Sequence, residues 1–316
     1  MKKIVSLLLA LSLVLGLCAF SAAEEKTYQV GILQLIQHPA LDLATQGFKD
    51  ALVEKLGDRV VFDEGNASGD SNNCAQIAGQ LVSKQVDLIM ANATPAMLAC
   101  ATATADIPVL GTSITNYESA MEIELTVEGA TGLNVSGTSD LAPLDGQANM
   151  VKELFPDAKT VGLLYCNAEP NSIFQIKTIE GYLTELGYEC KRYGFNDSND
   201  LASVVQTATE CDVLYIPTDN TAAGNTEAIA NVVLPAGVPV VAGEEGICAG
   251  CGIATLTISY YDIGYKTGEM AYEILVNGAD VSAMPIAYAP QFTKKYNAAN
   301  AAELGITIPE DYLPIE

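Results

Sequence analysis

Val30-Gly31-Ile32-Leu33 recurs 131 residues later as Val161-Gly162-Leu163-Leu164, and this repeated stretch decides the fold. Three further pairs follow in the same order, at offsets between 125 and 131 residues. They are Asp70-Ser71-Asn72 with Asp197-Ser198-Asn199, Val86-Asp87-Leu88-Ile89 with Cys211-Asp212-Val213-Leu214, and Ile107-Pro108-Val109-Leu110 with Val238-Pro239-Val240-Val241. A solenoid would need three or more repeats, so the pattern indicates two copies of one structural unit.

Each copy alternates short apolar runs with longer helical patterns. Tyr28–Gln34 is predicted to form a strand, whereas Asn171–Leu186 and Tyr260–Val276 are predicted to form helices. This alternation predicts an α/β fold with two doubly wound parallel-sheet lobes joined by crossing segments, and a ligand cleft between the lobes. The first lobe is expected to comprise residues 24–138 plus 258–284, and the second residues 139–257 plus 285–316. The chain is expected to cross near Gly137–Asp140 and Thr257–Tyr260.

Charge excludes several classes of partner. The 316 residues include 39 Asp and Glu but only 15 Lys and Arg, and the formal net charge is -24. Nucleic acids and anionic lipid surfaces are bound mainly through Lys and Arg. We therefore expect no nucleic-acid partner and no polybasic membrane attachment.

The N-terminus has the order of a secretory signal. Lys2 and Lys3 precede an apolar run over residues 4–20, and small residues end at Ala23. We expect residues 1–23 to be a cleaved signal peptide and the protein to be extracytoplasmic, either periplasmic or at the cell surface. An uncleaved anchor and lipid attachment at Cys18 are alternatives, although Leu17 replaces the small residue that usually precedes a lipidated cysteine.

Cysteine spacing gives little evidence of a metal or redox centre. Cys248-Ala249-Gly250-Cys251 has the spacing of a metal or redox pair, but a zinc site would need two further ligands. The only histidine, His38, is distant in sequence. We expect no metal and no cofactor, and a local disulfide or free thiols at the Cys248–Cys251 pair.

The expected cleft is built from six loops at the carboxyl ends of the predicted strands. They span residues 34–42, 91–97, 111–121, 165–172, 217–226 and 243–252, and none contains Lys or Arg. The phosphate-binding patterns GxGxxG and GxxxxGK[ST] do not occur. A neutral or zwitterionic ligand is therefore favoured over a phosphorylated one.

The two copies differ at matched positions of these loops. Thr94-Pro95 and Thr112-Ser113 in the first copy correspond to Asp219-Asn220 and Gly243-Glu244 in the second. Hydroxyls and free backbone N–H groups at a helix start can hold a carboxylate, whereas acids suit an ammonium. We infer an α-amino acid held between the two halves. The alternative is that all these residues are ordinary turns and caps.

An enzyme on the same scaffold is the rival from another class. It would need a nucleophile or a metal constellation, but GxSxG and HExxH are absent and His38 has no catalytic partner in view. The neighbours Glu244 and Glu245 would point in opposite directions at a strand end, which disfavours paired acid–base chemistry. We therefore expect no enzyme activity.

Several motifs together resemble one family. They are Val30 to Asp42 (VGILQLIQHPALD), Tyr165 to Ser172 (YCNAEPNS), Pro217-Thr218-Asp219-Asn220, Gly243-Glu244-Glu245-Gly246, and Leu304 to Pro309 (LGITIP). They resemble ABC-transporter substrate-binding proteins of the tryptophan/tyrosine type. The resemblance implies a type I periplasmic-binding fold, closure around an aromatic amino acid, and delivery to a membrane permease and ATPase. A sensory receptor, or a receptor for a neutral nucleoside or sugar, remains the alternative.

Candidate ligand-binding residues follow from the loops and the resemblance. Tyr117, Tyr165 and Phe174 are candidates to stack on an aromatic ring, since the chain has no Trp. The full expected set is Gln34, His38, Thr94, Thr112, Ser113, Tyr117, Tyr165, Asn171, Ser172, Asp219, Asn220, Glu244 and Glu245.

Overall fold

The computed structural model describes residues 26–315. The expected signal peptide, including Cys18, lies outside the described residues. Within residues 26–315, no helix is both long enough and apolar enough to cross a membrane.

Strands and helices alternate through most of the chain. The strands are β1 (Tyr28–Gln34), β2 (Val60–Asn66), β3 (Leu88–Asn92), β4 (Val109–Ile114), β5 (Val135–Ser139), β6 (Thr160–Cys166), β7 (Glu189–Phe195), β8 (Val213–Ile216), β9 (Val240–Ala242), β10 (Ala254–Thr257), β11 (Ala287–Tyr288), β12 (Thr293–Tyr296) and β13 (Leu313–Pro314). The α-helices are α1 (Pro39–Leu56), α2 (Ser71–Ser83), α3 (Thr94–Ala103), α4 (Tyr117–Met121), α5 (Leu144–Leu154), α6 (Pro170–Glu185), α7 (Ser198–Ala208), α8 (Asn220–Ala223), α9 (Thr226–Ala236), α10 (Glu245–Cys251), α11 (Tyr260–Leu275) and α12 (Ala298–Glu303). Short 3₁₀ turns occupy Gly57–Arg59 and Val281–Ala283.

Two sheets define two lobes. The first sheet has the order β11-β5-β4-β3-β1-β2, with all neighbouring strands parallel. The second has the order β13-β12-β10-β9-β8-β6-β7, and only the β10–β12 pair is antiparallel. The central strands β3, β4 and β8 are buried along their whole length, as expected where helices cover both faces of a parallel sheet.

The repeated Asp-Ser-Asn motif starts a helix in each lobe. Asp70 caps α2 by accepting hydrogen bonds from two backbone N–H groups, and Asp197 caps α7 in the same way from Asn199. A carboxylate at this position satisfies backbone donors that have no partner within the helix. The repeat thus reflects matching helix starts in two equivalent lobes.

Between residues 26 and 315, the chain passes between the lobes at three places. The first follows β5, which ends at Ser139 in the first sheet. The second lies between β10 of the second sheet and α11, which packs against α1 of the first lobe. The third lies at residues 289–292, because β11 belongs to the first sheet. This corrects the expected lobe boundary at residues 284/285, since a two-residue edge strand has no periodicity that a sequence pattern could reveal.

Helices α1 and α11 pack closely through glycines. A Cβ atom added to Gly264 would lie 1.9 Å from the carbonyl oxygen of Ala44, and one added to Gly47 would lie 2.1 Å from that of Tyr261. Both distances are far below van der Waals contact, so the helices could not approach this closely with larger residues. α11 follows the second crossing and α1 begins at the cleft, so this close contact holds the two helices together.

We expect Gly264→Ala to lower the free energy of unfolding by about 1–3 kcal/mol, because the helices must separate to accommodate the methyl group. Urea unfolding measures this change. The matched control is Gly79→Ala in α2, where an added Cβ meets nothing within 4 Å. That change should raise stability by about 0.5–1 kcal/mol. Equal effects at the two positions would contradict the close contact of α1 with α11.

Candidate functional site

The carboxyl ends of the strands meet in a narrow pocket between the lobes. It is lined by His38, Leu41, Ser113, Thr115, Asp140, Asn171, Thr218, Asp219, Asn220, Ala223, Glu244 and Tyr260.

The lobes touch across this pocket. His38 Nε2 of the first lobe lies 3.3 Å from Asn220 Oδ1 of the second. Thr115 Oγ1 lies 3.4 Å from Thr218 Oγ1 and accepts a hydrogen bond from Gln175 Nε2 at 3.3 Å. The structure is therefore a closed arrangement of the two lobes.

Asp140 stands at the first crossing and faces the pocket. Its two carboxylate oxygens accept hydrogen bonds from Thr115 Oγ1 at 3.1 Å and from the Tyr260 hydroxyl at 2.9 Å. Burial raises the pKa of Asp140 to about 6, and these hydrogen bonds oppose the rise. Tyr260 begins α11, directly after the second crossing. The hydrogen bond from Tyr260 to Asp140 therefore links the first crossing to the second.

Asp219 caps α8 in the second lobe. Its oxygens accept hydrogen bonds from the backbone N–H of Cys166 at 2.6 Å and of Ala222 at 2.8 Å. Burial raises its pKa to about 8, and the nearby charge of Glu169 adds to the rise. Glu169 itself accepts five hydrogen bonds from Asn171, Asn220 and Thr221. Both carboxyl groups are hydrogen-bonded within the protein, but only Asp219 lines the pocket, where no Lys or Arg is among the lining residues.

Glu244 contributes the third carboxylate, from the start of α10. It accepts hydrogen bonds from the backbone N–H of Gly246 at 2.6 Å and of Ile247. Burial raises its pKa to about 7, with smaller contributions from the charges of Glu245 and Asp140. None of the pocket-lining residues is Lys or Arg, so a bound cation would neutralise these acids.

Three polar atoms of the pocket lining are buried without a hydrogen-bond partner in residues 26–315. They are His38 Nδ1, Ser113 Oγ and Asn171 Oδ1. Ser113 adopts a φ of 58°, which a residue other than glycine rarely adopts, and the β4–β5 register shifts beside it. Such buried groups usually pair, so these atoms are available to a ligand.

Six of the expected site residues line the pocket, and seven do not. The first six are His38, Ser113, Asn171, Asp219, Asn220 and Glu244, and the other seven are Gln34, Thr94, Thr112, Tyr117, Tyr165, Ser172 and Glu245.

The expected aromatic residues lie away from the pocket. The Tyr117 hydroxyl lies within hydrogen-bonding distance of the carbonyl oxygens of Gly111, Ser136 and Thr138, beneath the first sheet. Tyr165 packs into the second lobe and is a hydrogen-bond partner of Arg192. Phe174 is half-buried on α6 and is not among the lining residues.

The other expected residues outside the pocket lining lie within one lobe or on its outer side. Thr94 Oγ1 is buried without a hydrogen-bond partner in residues 26–315, and the others have partners. Gln34 donates to Asp42 and Ile36 and accepts from Thr45, and Thr112 Oγ1 lies 3.2 Å from Thr138 Oγ1. Thr94 is buried at the start of α3, and Ser172 is a hydrogen-bond partner of Asp219 behind the pocket. Glu245 faces a separate outer groove and pairs with Lys295 at 2.7 Å.

Sequence reasoning missed several residues of the pocket wall: Leu41, Thr115, Asp140, Thr218, Ala223 and Tyr260. Asp140 and Tyr260 lie at the two crossings expected near Gly137–Asp140 and Thr257–Tyr260. The predicted crossings could therefore have indicated these two pocket residues. Thr115 and Thr218 lie within the loops expected to form the cleft, but nothing in the sequence distinguishes them from their neighbours.

The cysteines of the described chain form no disulfide. All seven within residues 26–315 are free thiols, and Cys248 and Cys251 are both buried in α10. Burial raises the pKa of both thiols, so neither is an activated nucleophile. Of the two expected alternatives for Cys248 and Cys251, a local disulfide or free thiols, the structure has free thiols.

A family model, a curated protein and a solved structure all relate this chain to the same kind of protein. The family model for ABC transporter substrate binding proteins matches residues 29–315. A tyrosine-binding protein of Clostridioides difficile (strain R20291) is 35% identical over 268 residues, covering 83% of this chain and 76% of that protein. The ABC domain from Streptococcus pneumoniae in complex with L-Trp has a TM-score of 0.86 at 32% identity, covering 90% of this chain and 97% of that one.

A further solved relative is the ligand-free, open structure of a substrate-binding protein with adhesive properties from Clostridium difficile. It is 34% identical, covers 92% of this chain and 99% of that one, and has a TM-score of 0.69.

The expected type I periplasmic-binding fold, with two doubly wound lobes, is confirmed by the sheet topology and by these neighbours. The family resemblance read from the motifs is confirmed as well. The chain belongs to the family of ABC transporter substrate-binding proteins.

Proposed function

We propose that this protein captures an aromatic α-amino acid between its lobes outside the cytoplasm and delivers it to the permease and ATPase of an ABC importer. The observation that carries this proposal is the convergence of Asp140, Asp219 and Glu244 on one buried pocket without Lys or Arg among its lining residues. A buried carboxyl group must either hold a proton or meet a counter-charge, and the ammonium group of an amino acid supplies the counter-charge.

The pocket also offers a hydrogen-bond donor to the carboxylate of the amino acid. Ser113 Oγ is buried and has no hydrogen-bond partner among the described residues. This hydroxyl can donate a hydrogen bond to the ligand carboxylate. The aromatic class is supported by the relatives, one named a tyrosine-binding protein and one solved with L-Trp.

Calorimetric titration with the twenty amino acids, a neutral nucleoside and a neutral sugar tests the proposal. We expect saturable binding of one or more aromatic amino acids and none of the nucleoside or sugar. Tyr165→Phe is the matched control, because Tyr165 lies outside the pocket, and it should bind as the wild type does. Tight binding of the nucleoside or sugar, with no amino acid bound, would overturn the ligand assignment.

Ligand affinity should rise between pH 5 and pH 8. In the closed pocket the pKa values of Asp140, Glu244 and Asp219 are about 6, 7 and 8, whereas in the unfolded chain carboxyls titrate near pH 4. The closed form therefore holds protons that the unfolded chain has released, and its stability falls as the pH rises through this range.

An ammonium ligand favours the ionised carboxylates and displaces these protons. Each proton released changes the affinity by up to about tenfold per pH unit. Calorimetry at pH 6.5 in two buffers with different ionisation enthalpies counts the protons. A constant affinity from pH 5 to pH 8, with no proton release, would show that the three carboxylates do not meet the ligand's ammonium.

A further inference from the structure

His38 enters the pocket from the first lobe, immediately before α1. Its side chain is buried, with 6% of the residue exposed, and it lines the pocket. Nε2 faces Asn220 Oδ1 at 3.3 Å across the lobes, whereas Nδ1 has no hydrogen-bond partner in residues 26–315. One ring nitrogen therefore bridges the lobes and the other is left for the contents of the pocket.

Glu169 determines which nitrogen of His38 carries the proton. Asn220 Nδ2 lies 2.7 Å from Glu169 Oε2, and an ionised carboxylate only accepts hydrogen bonds. The amide nitrogen of Asn220 must then face Glu169, and its oxygen must face His38. An oxygen acceptor requires a donor, so Nε2 carries the hydrogen. Burial lowers the pKa of His38, which keeps the ring neutral and leaves a lone pair on Nδ1.

Two apolar residues of the pocket lining lie close in sequence to the His38–Asn220 contact. Leu41 lies in the first turn of α1, which His38 precedes, and Ala223 ends α8, which Asn220 begins. The charges that act on His38 are those of Glu169 and Asp42.

Two of the three carboxylates that face the pocket, Asp140 and Glu244, act on one another. The charge of Asp140 raises the pKa of Glu244, and the hydroxyl of Tyr260 bonds Asp140. A zwitterion bound at Asp140 and Glu244 would direct its side chain toward Leu41, Ala223 and His38.

We infer that His38 determines ligand specificity: its Nδ1 accepts a hydrogen bond from a donor on the ligand's aromatic ring, either a phenol hydroxyl or an indole N–H. Asn220 and Glu169 are positioning residues that hold the accepting tautomer. This inference rests on the proposed function and adds that the site discriminates against rings without a donor. A buried acceptor left unpaired would penalise phenylalanine by about 10- to 100-fold.

Two pairs of ligands test the inference in the whole protein. L-Tyrosine is compared with L-phenylalanine, and L-tryptophan with its 3-benzothienyl analogue, in which sulfur replaces the ring N–H. For the preferred parent amino acid, we expect affinity at least about tenfold above that of its analogue. Equal affinities within both pairs would overturn the inference but leave amino-acid binding intact. Binding of no amino acid would instead refute the proposed function.

Two substitutions distinguish the roles of the two ring nitrogens of His38. The amide of His38→Gln reaches the place of Nε2 and can still donate to Asn220, but it leaves no acceptor at Nδ1. The side-chain oxygen of His38→Asn can replace Nδ1 but not Nε2. The measured quantity is the affinity for the parent amino acid divided by the affinity for its analogue. We expect this ratio to fall below about three in His38→Gln and to stay above about three in His38→Asn. An unaltered ratio in His38→Gln would overturn the inference, and thermal unfolding checks that both variants fold.

Discussion

Asp219→Asn weakens amino-acid binding by about two orders of magnitude. The carboxylate is 1% exposed, faces the pocket and has no cation among the residues that line it. Removing one partner of a buried charge pair costs about 2–5 kcal/mol, because the ammonium of the ligand loses its counter-charge. Titration calorimetry on the folded variant measures the loss.

The same substitution has a smaller structural effect. Both oxygens of Asp219 accept backbone N–H groups, from Cys166 and Ala222. The amide of asparagine can accept only on its oxygen, so one N–H loses its acceptor. We expect a loss of stability of about 1–3 kcal/mol, which thermal unfolding separates from the loss of affinity.

Asp197→Asn is the matched control for Asp219→Asn. Asp197 also caps a helix of the second lobe, but it is exposed and does not line the pocket. Asparagine is nearly as good an N-cap as aspartate, so this variant should keep both affinity and stability. If Asp219→Asn also binds normally, Asp219 is a helix cap and nothing more.

Periodicity predicted the fold well because strands of a covered parallel sheet are continuous apolar runs. β1 has the bounds expected from its sequence, Tyr28–Gln34. α6 differs from the expected helix by one residue at each end, and α11 differs by one residue at its C-terminal end. The lobe boundary near residue 285 failed for a different reason. β11 has only two residues, and what places it in the first sheet is its pairing with Thr138 and Ser139, distant in sequence.

The site was only partly predictable because a loop position does not determine where a side chain points. Glu244 and Glu245 are neighbours, yet one caps α10 inside the pocket and the other pairs with Lys295 in the outer groove. Tyr117 was expected to stack on a ligand, but its hydroxyl lies beneath the sheet beside Gly111 and Gly137. These outcomes depend on tertiary packing that spacing along the chain does not encode.

Under the proposed function, Asp140 joins ligand recognition to lobe closure. This carboxylate follows β5 at the first crossing and accepts a hydrogen bond from Tyr260 at the second. It also holds Thr115, whose hydroxyl touches Thr218 of the opposite lobe. A ligand cation that neutralises Asp140 therefore acts where the segments must bend when the lobes move.

Asp140→Asn should weaken amino-acid binding by about 10- to 100-fold, because the acid is buried and faces the same pocket as Asp219. Tyr260→Phe is the comparison variant. It removes the hydroxyl that bonds Asp140 but keeps the charge, so it isolates the link between the crossings. A smaller loss in Tyr260→Phe than in Asp140→Asn would assign the main effect to the charge.

The double variant Asp140→Asn/Asp219→Asn shows whether the two acids share one ammonium. If they do, the first substitution already removes much of what the second could lose, and the combined loss falls short of the sum of the single losses by at least about 0.5 kcal/mol. Calorimetry of the wild type, both single variants and the double variant closes this cycle. Additive losses would mean that the two acids act on separate parts of the ligand, and an unchanged affinity in Asp140→Asn would confine Asp140 to linking the crossings.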